Sequence, residues 1–336
     1  MRVVWSLILL STIPLSAGCS DKAAETGDDT GGAAEGPDIA EVASGKVIPY
    51  DACPAPDGGL VYYVGTTSSG ESWLYSVADG EDPADVAWLT DAVSVVLSDD
   101  GATAYVADRG DDAVYKVDLA TKVAEVMAGT YGLHPAALDY FDGSLWFVGG
   151  DSDDDSAAIY EVSLSDGSAT KVYDDVGGWP GPQVGYSPPS RGRASVVAED
   201  EEEDWFALKV VSRSALTAAQ LPTIYVAAQR AAADGEVMML DASGATTLYD
   251  SARLGTPPGI SIAPDGSTLM VSSLDDSGKA QVLLLDPASG SAEVFNDVIG
   301  ENEGAGGLHK AAAADIYAWA DVCGSASCSK VYKISY

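Results

Sequence analysis

The sequence predicts an all-β fold, a β-propeller of four-stranded antiparallel blades closed into a ring. Three observations carry the prediction. Strand-like segments recur at near-constant spacing, Asp-Gly turns precede them, and the C-terminal recurrence lacks an outer strand that residues near 38 can supply.

The recurring segments come in order along the chain. One strand type reads LVYYVG (60–65), TAYVAD (103–108), SLWFVG (144–149), TIYVAA (223–228), TLMVSS (268–273) and DIYAWA (315–320). A second type follows each, as WLYSV (73–77), AVYKVDL (113–119), AIYEVSL (158–164), EVMMLDA (236–242), QVLLLDP (281–287) and KVYKISY (330–336). A third often comes next, as VAEVMAG (123–129), ATKVYDD (169–175), TTLYDSA (246–252) and AEVFNDV (292–298). The β-branched and aromatic content suits strands buried on both faces. The turns APDG (55–58), SDDG (98–101), YFDG (140–143) and APDG (263–266) lead into the first strand type. They suit hairpins, because Asp and Gly both accept positive φ.

The interval from Tyr63 to Tyr105 equals that from Tyr105 to Phe147, and those from Tyr225 to Met270 and from Met270 to Tyr317 are only slightly longer. A four-stranded unit repeating roughly every 40–50 residues is the mark of a propeller blade. Phe147 to Tyr225 spans nearly two periods. GRASVVAEDEEEDWFALKVVSRS (192–214) resembles GATAYVADRGDDAVYKVDL (101–119) strand for strand, which suggests a further blade, yet the space is too short for a full one. Six blades with an elaborated fourth are expected, with seven as the alternative. DIAEVAS (38–44) matches the outer-strand pattern of VAEVMAG and is expected to pair beside 330–336 and shut the ring.

The N-terminus carries a different signal. Arg2 is followed by an apolar stretch, Val3 to Leu15, too short to span a bilayer comfortably, and then by Leu15-Ser16-Ala17-Gly18-Cys19. This resembles a bacterial lipoprotein signal peptide. The resemblance implies removal of residues 1–18 and lipidation of Cys19, with several acyl chains giving a stable membrane anchor. An ordinary secretory signal with an incidental cysteine is the alternative. Residues 19–37 then form the lipidated cysteine and a small, acidic tether, with residues 38–336 as the propeller domain. Such a tether cannot bury enough surface to fold, and its roughly 18 residues would span roughly 20–25 Å. Ser20 after the cysteine resembles the outer-membrane sorting pattern, which implies export and anchoring in the cell envelope.

Acidic residues number 52 against 17 basic ones in 336, a net charge of −35. That balance excludes nucleic-acid binding and disfavours anionic headgroups. It favours cationic or metal-bearing partners or, more simply, solubility in a salty medium. Cys323 and Cys328 flank Gly-Ser-Ala-Ser, a run suited to a tight turn, and an oxidising compartment would let them bridge. Cys53 is left as a buried free thiol or a competitor for one of them.

The repeat pattern over 38–336 also resembles NHL/YVTN-type and gluconolactonase/regucalcin-like propellers, which implies the fold and leaves the activity open. The gluconolactonase metal set needs a Glu, two Asn and an Asp from different blades. This chain has only Asn296 and Asn302, close together, and Tyr50 stands where the Glu is expected. Lactonase activity is therefore not expected. A quinone-binding propeller with His134 as base lacks evident basic residues to hold the cofactor.

Candidate site residues lie where chain segments lead into innermost strands. His134 in Tyr131-Gly132-Leu133-His134-Pro135 and His309 in Gly306-Gly307-Leu308-His309-Lys310 are the only histidines, each after Gly-Leu. Both could reach the channel mouth to bind a metal or move a proton, or both could reflect repeat ancestry. Trp179, among glycines and prolines, could stack a sugar or aromatic ligand or could cap its blade. Tyr50 completes the ligand-binding set. Asp151, Asp153 and Asp155 alternate as in a calcium loop but lack its glycine and distal glutamate, so an exposed acidic hairpin is the simpler reading. Glu201-Glu202-Glu203-Asp204 reads the same way. No nucleophile elbow or dinucleotide loop is present. The expectation is a binding or scaffold module, acting as a monomer on a small ligand or envelope protein. It is expected to need no cofactor, with a divalent metal as the exception. The rival is an extracytoplasmic enzyme using His134 and His309.

Overall fold

The computed structural model describes residues 37–150, 157–173, 205–212, 223–229, 235–251, 254, 259–275, 277–295, 300, 304–323 and 325–336. Strand β1 (Asp38–Ser44) comes first. The first blade is β2 (Ile48–Pro54), β3 (Leu60–Thr66), β4 (Ser72–Ala78) and β5 (Ala84–Leu89), and the second is β6 (Ala92–Leu97), β7 (Thr103–Asp108), β8 (Ala113–Asp118) and β9 (Val123–Val126). The third holds β10 (Ala137–Phe141), β11 (Ser144–Gly150), β12 (Ala157–Val162) and β13 (Ala169–Tyr173). The fourth holds β14 (Trp205–Ser212), β15 (Thr223–Gln229), β16 (Gly235–Asp241) and β17 (Gly244–Ser251). The fifth holds β18 (Ile260–Ile262), β19 (Leu269–Leu274), β20 (Ala280–Leu285) and β21 (Ala292–Phe295). The sixth consists of β22 (Gly304–Lys310), β23 (Ile316–Val322) and β24 (Lys330–Ser335), completed by β1.

The ring closes as the sequence predicts. β1 pairs antiparallel with β24, from Asp38 opposite Ser335 to Ser44 opposite Lys330. Blade count resolves to six, and one strand changes role. Trp205–Ser212 is the innermost strand of the fourth blade, not a strand of the second recurring type (the third position in a blade) belonging to an additional one. The acidic run before it mimics the Asp-rich turn before β8, which is why the two segments match strand for strand in sequence.

Each blade is buried on both faces because side chains alternate along a strand. Tyr63 joins a cluster with Ala318 and Val331 of the sixth blade, whereas its neighbour Val64 packs with Val95 and Val106 of the second. Six such clusters lie between successive blades, around to the first again. Trp319, fully buried between blades five and six, shows the scale: truncating such a residue to alanine costs about 3–5 kcal/mol.

The Asp-Gly turns divide into two kinds. Asp142 and Gly143 both have positive φ (50° and 75°) and join Phe141 directly to Ser144, a two-residue hairpin. At Gly58, Gly101 and Gly266 only the glycine is left-handed, and its N–H closes on the carbonyl three residues back (2.8, 2.8 and 3.0 Å). Those loops are longer, so the preceding Asp keeps an ordinary backbone. The Cys323–Cys328 disulfide forms in the β23–β24 turn, with a Cα separation of 5.9 Å, and Cys53 is a buried free thiol.

Candidate functional site

The six innermost strands or their leading residues surround a narrow central channel. Tyr50, Asp51, Val93, Ser94, Leu138, Leu208, Ile260, Gly307 and His309 line it. The cavity they leave is about 20 Å³, room for a water or two. Its wall is polar on one side and apolar on the other.

Asp51 organises the polar side. Its side chain is buried, at 3% residue exposure, and has four donors. One oxygen accepts the Ala52 N–H at 2.9 Å. The other accepts Ser94 Oγ at 2.7 Å, the Val95 N–H at 2.9 Å and His309 Nε2 at 3.1 Å. Two of these donors belong to the second blade and one to the sixth, so one carboxylate joins three blades. Ser94 extends the chain by accepting the Leu138 N–H of the third blade at 3.1 Å. A buried carboxylate is tolerable only when paired in this way. Gly307 makes room: a Cβ there would lie 1.7 Å from the Asp51 oxygen. The register slips in β2 between Pro49 and Asp51, in β6 between Ala92 and Ser94, and in β22 between Ala305 and Leu308. Bulges of this kind re-aim side chains, and here they accompany the three strands that meet at the carboxylate.

A second buried carboxylate joins blades three and four. Asp139 accepts Lys209 Nζ at 2.9 and 3.2 Å and the Val210 N–H at 2.7 Å. Between these two carboxylates, Cys53 feels burial first and then the Asp51 charge, which push its thiol up to about 12. The thiol is protonated and inert at neutral pH.

The two histidines are not equivalent. His309 lies inside β22 and faces the channel. His134 lies in the loop before β10, outside the channel lining, and its Nδ1 is 2.6 Å from an oxygen of Asp112 in the β7–β8 turn. The Gly-Leu-His match thus reflects different local structures, and the rings are held by separate carboxylates. Tyr50 and His309 are brought together in the channel wall; His134 is not. Trp179, Asp151, Asp153, Asp155, the 201–204 acidic run, Asn296, Asn302 and Cys19 lie outside the described residues. Among the described residues, no three His, Cys, Asp or Glu side chains converge to hold a metal ion.

Sequence reasoning missed Asp51, Ser94, Asp112, Asp139 and Lys209. A signal for Asp51 was present: a lone acidic residue inside IPYDACP, a strand otherwise free of charge.

No family model matches the chain, and no curated protein matches it by sequence. Solved structures do match. A putative gluconolactonase aligns with a TM-score of 0.55 at 12% identity, over 89% of this chain and 92% of that one. TolB from Acinetobacter baumannii aligns with 0.53 at 14%, over 84% of this chain and 65% of that one. An auxiliary nutrient binding protein from Bacteroides thetaiotaomicron aligns with 0.51 at 10%, over 87% and 69%. At such identities the likeness establishes the propeller fold alone, on which both enzymes and binding proteins are built.

Proposed function

We propose that this chain is a cell-envelope lipoprotein whose propeller serves as a binding or scaffold module for a small ligand or an envelope protein. In this reading residues 1–18 are a signal peptide, Cys19 carries the lipid, and the acidic tether holds a monomeric propeller away from the outer membrane. The observation that carries the non-catalytic reading is the hydrogen bonding of Asp51 to three blades. Donors from Ala52, Ser94, Val95 and His309 already hold it, three of them on one oxygen, so the channel carboxylate joins blades and is not placed as a free base for a substrate proton. The remaining cavity is too small for anything beyond water, which leaves the faces and rims as binding surfaces.

A second reading, an extracytoplasmic enzyme with a small substrate or a divalent metal, draws on one pair. The Asp112 carboxylate on Nδ1 of His134 orients that ring as carboxylates orient bases and metal ligands. Elemental analysis of the purified protein separates the readings. The binding module predicts no stoichiometric divalent ion. A bound ion that His134→Ala or His309→Ala variants lose would favour the enzyme. Labelling of cells with an alkyne fatty acid tests the anchor: the label should appear on the wild type and vanish in Cys19→Ser.

A further inference from the structure

We infer that the ring is closed twice, and that the channel clasp of Asp51 against Gly307 and His309 holds the first and sixth blades together when β1 leaves β24. The two closures sit at opposite ends of the blade radius. β1 is the outermost strand of the sixth blade; Asp51 and His309 lie on innermost strands.

The outer closure is built to open. Of the seven residues in β1 only Val42 and Ala43 are buried, while Asp38 to Glu41 are exposed or half-buried. Its pairing with β24 is interrupted between Glu41 and Ala43. The Lys330–Glu41 ion pair at 3.1 Å is partly exposed, and such pairs add little. Gly45, just after β1, has φ of 76° with open space where a Cβ would be, so the chain turns from the strand into blade one without strain.

The inner closure has the opposite character. The Asp51 carboxylate replaces the missing side chain of Gly307 and meets His309 in a site almost without solvent. A Cβ at Gly306 would lie 2.8 Å from the Tyr50 carbonyl, so the two backbones are in close contact as well. Lys333, on β24, also reaches Asp79 of blade one without passing through β1, a partly exposed pair that by itself adds little. Regions with few buried contacts open at low free energy while buried networks open only with the whole fold. β1 is therefore a strap that can peel from β24 over a ring that stays shut. The edge it uncovers carries Lys330 and Lys333, charges of the kind that discourage strand addition.

Hydrogen exchange read by mass spectrometry on the full-length protein tests this. Val42→Asp should speed exchange in β1 roughly 100-fold while β2 and β22 stay within roughly threefold of wild type. Adding His309→Gln or Gly307→Ala to Val42→Asp should make β2, β22 and β24 exchange together. Equal acceleration of β1, β2 and β22 by Val42→Asp alone would overturn the inference. So would double variants indistinguishable from Val42→Asp. If a variant does not fold, wild-type exchange across a urea series decides: β1 should open in a separate step below that of β2 and β22, and a single shared step would overturn the inference.

Discussion

Asp112 and His134 hold each other in left-handed backbone conformations. Their φ values are 51° and 44°, and the Asp112 oxygen lies 2.6 Å from His134 Nδ1. The Gly132 N–H also closes on the Asp112 carbonyl at 2.8 Å. Left-handed backbone costs a non-glycine residue about 1–2 kcal/mol, and here the carboxylate–imidazole contact and the packed loop offset it. An ionised carboxylate accepts, so Nδ1 must carry the hydrogen, and in the neutral ring Nε2 keeps its lone pair.

That pair gives the first prediction. Asp112→Ala loses the contact and keeps the strained φ, so it should destabilise the protein by about 1–3 kcal/mol in urea unfolding. Asp112→Gly loses the same contact but relieves the backbone, so it should cost less. Nitrogen NMR should find the His134 proton on Nδ1 in the wild type and a shift toward Nε2 in Asp112→Gly. An unchanged tautomer would show that the carboxylate does not set it.

The Lys209–Asp139 pair gives the second. Lys209→Met removes one charge of a buried pair and leaves Asp139, 2% exposed, with the Val210 N–H against its carboxylate. Breaking a buried pair on one side costs about 3–5 kcal/mol, mostly for the stranded charge. Asp139→Asn combined with Lys209→Met should recover much of that loss, because no charge is then stranded. A double-mutant cycle by denaturant unfolding measures the recovery, and simple additivity would mean the two groups do not interact.

The blade pattern was legible because it is periodic. Tyr63, Tyr105 and Phe147 stand at equal intervals along the chain and all pack, buried, in the second strand of their blades. The closing strand was legible because DIAEVAS has the outer-strand composition, and it pairs beside β24. The inner strands were not. They carry bulges, and β18 has only three residues, so their alternation is broken. β14 reads as a strand of the second recurring type, the third position in a blade, for that reason. Asp51 and Asp139 were hidden among 52 acidic residues, most of which suit turns and surface. What separates them is tertiary: each meets a donor far along the chain, in a neighbouring blade.

Cysteine chemistry is predicted to be silent in the native protein. Burial and the Asp51 charge push the Cys53 thiol up to about 12, so a thiol reagent at pH 8 should leave it unmodified until the fold is opened. Cys323 and Cys328 should be absent from the same titration because they are bonded. Replacing both by serine opens a short closed loop and should cost about 2 kcal/mol, without changing Cys53 reactivity. Modification of folded wild-type protein at the unfolded rate would contradict the buried position of Cys53.

Acid stability should depend on the hairpin aspartates, with Asp265 the strongest case. Its carboxylate accepts the Thr268 hydroxyl at 2.6 Å and the Thr268 and Ser267 N–H groups at 2.8 Å each. These bonds, the Thr268 hydroxyl first, hold its pKa down to about 2. An ordinary aspartate titrates near about 3.9, so the folded protein binds this proton less readily than the unfolded chain. The stabilisation is therefore fully present above about pH 4 and is lost as pH falls toward about 2. Asp100, Asp118, Asp166, Asp275 and Asp286 are lowered by similar turn bonds and act in the same direction. Asp108 opposes them: burial raises its pKa, so its neutral form favours the fold as pH falls. Asp265→Asn should be less stable than wild type at pH 7, and the gap should close between about pH 4 and about pH 2. Urea midpoints taken across that range measure the convergence, and a constant gap would mean the hairpin bonds do not depend on the charge of Asp265.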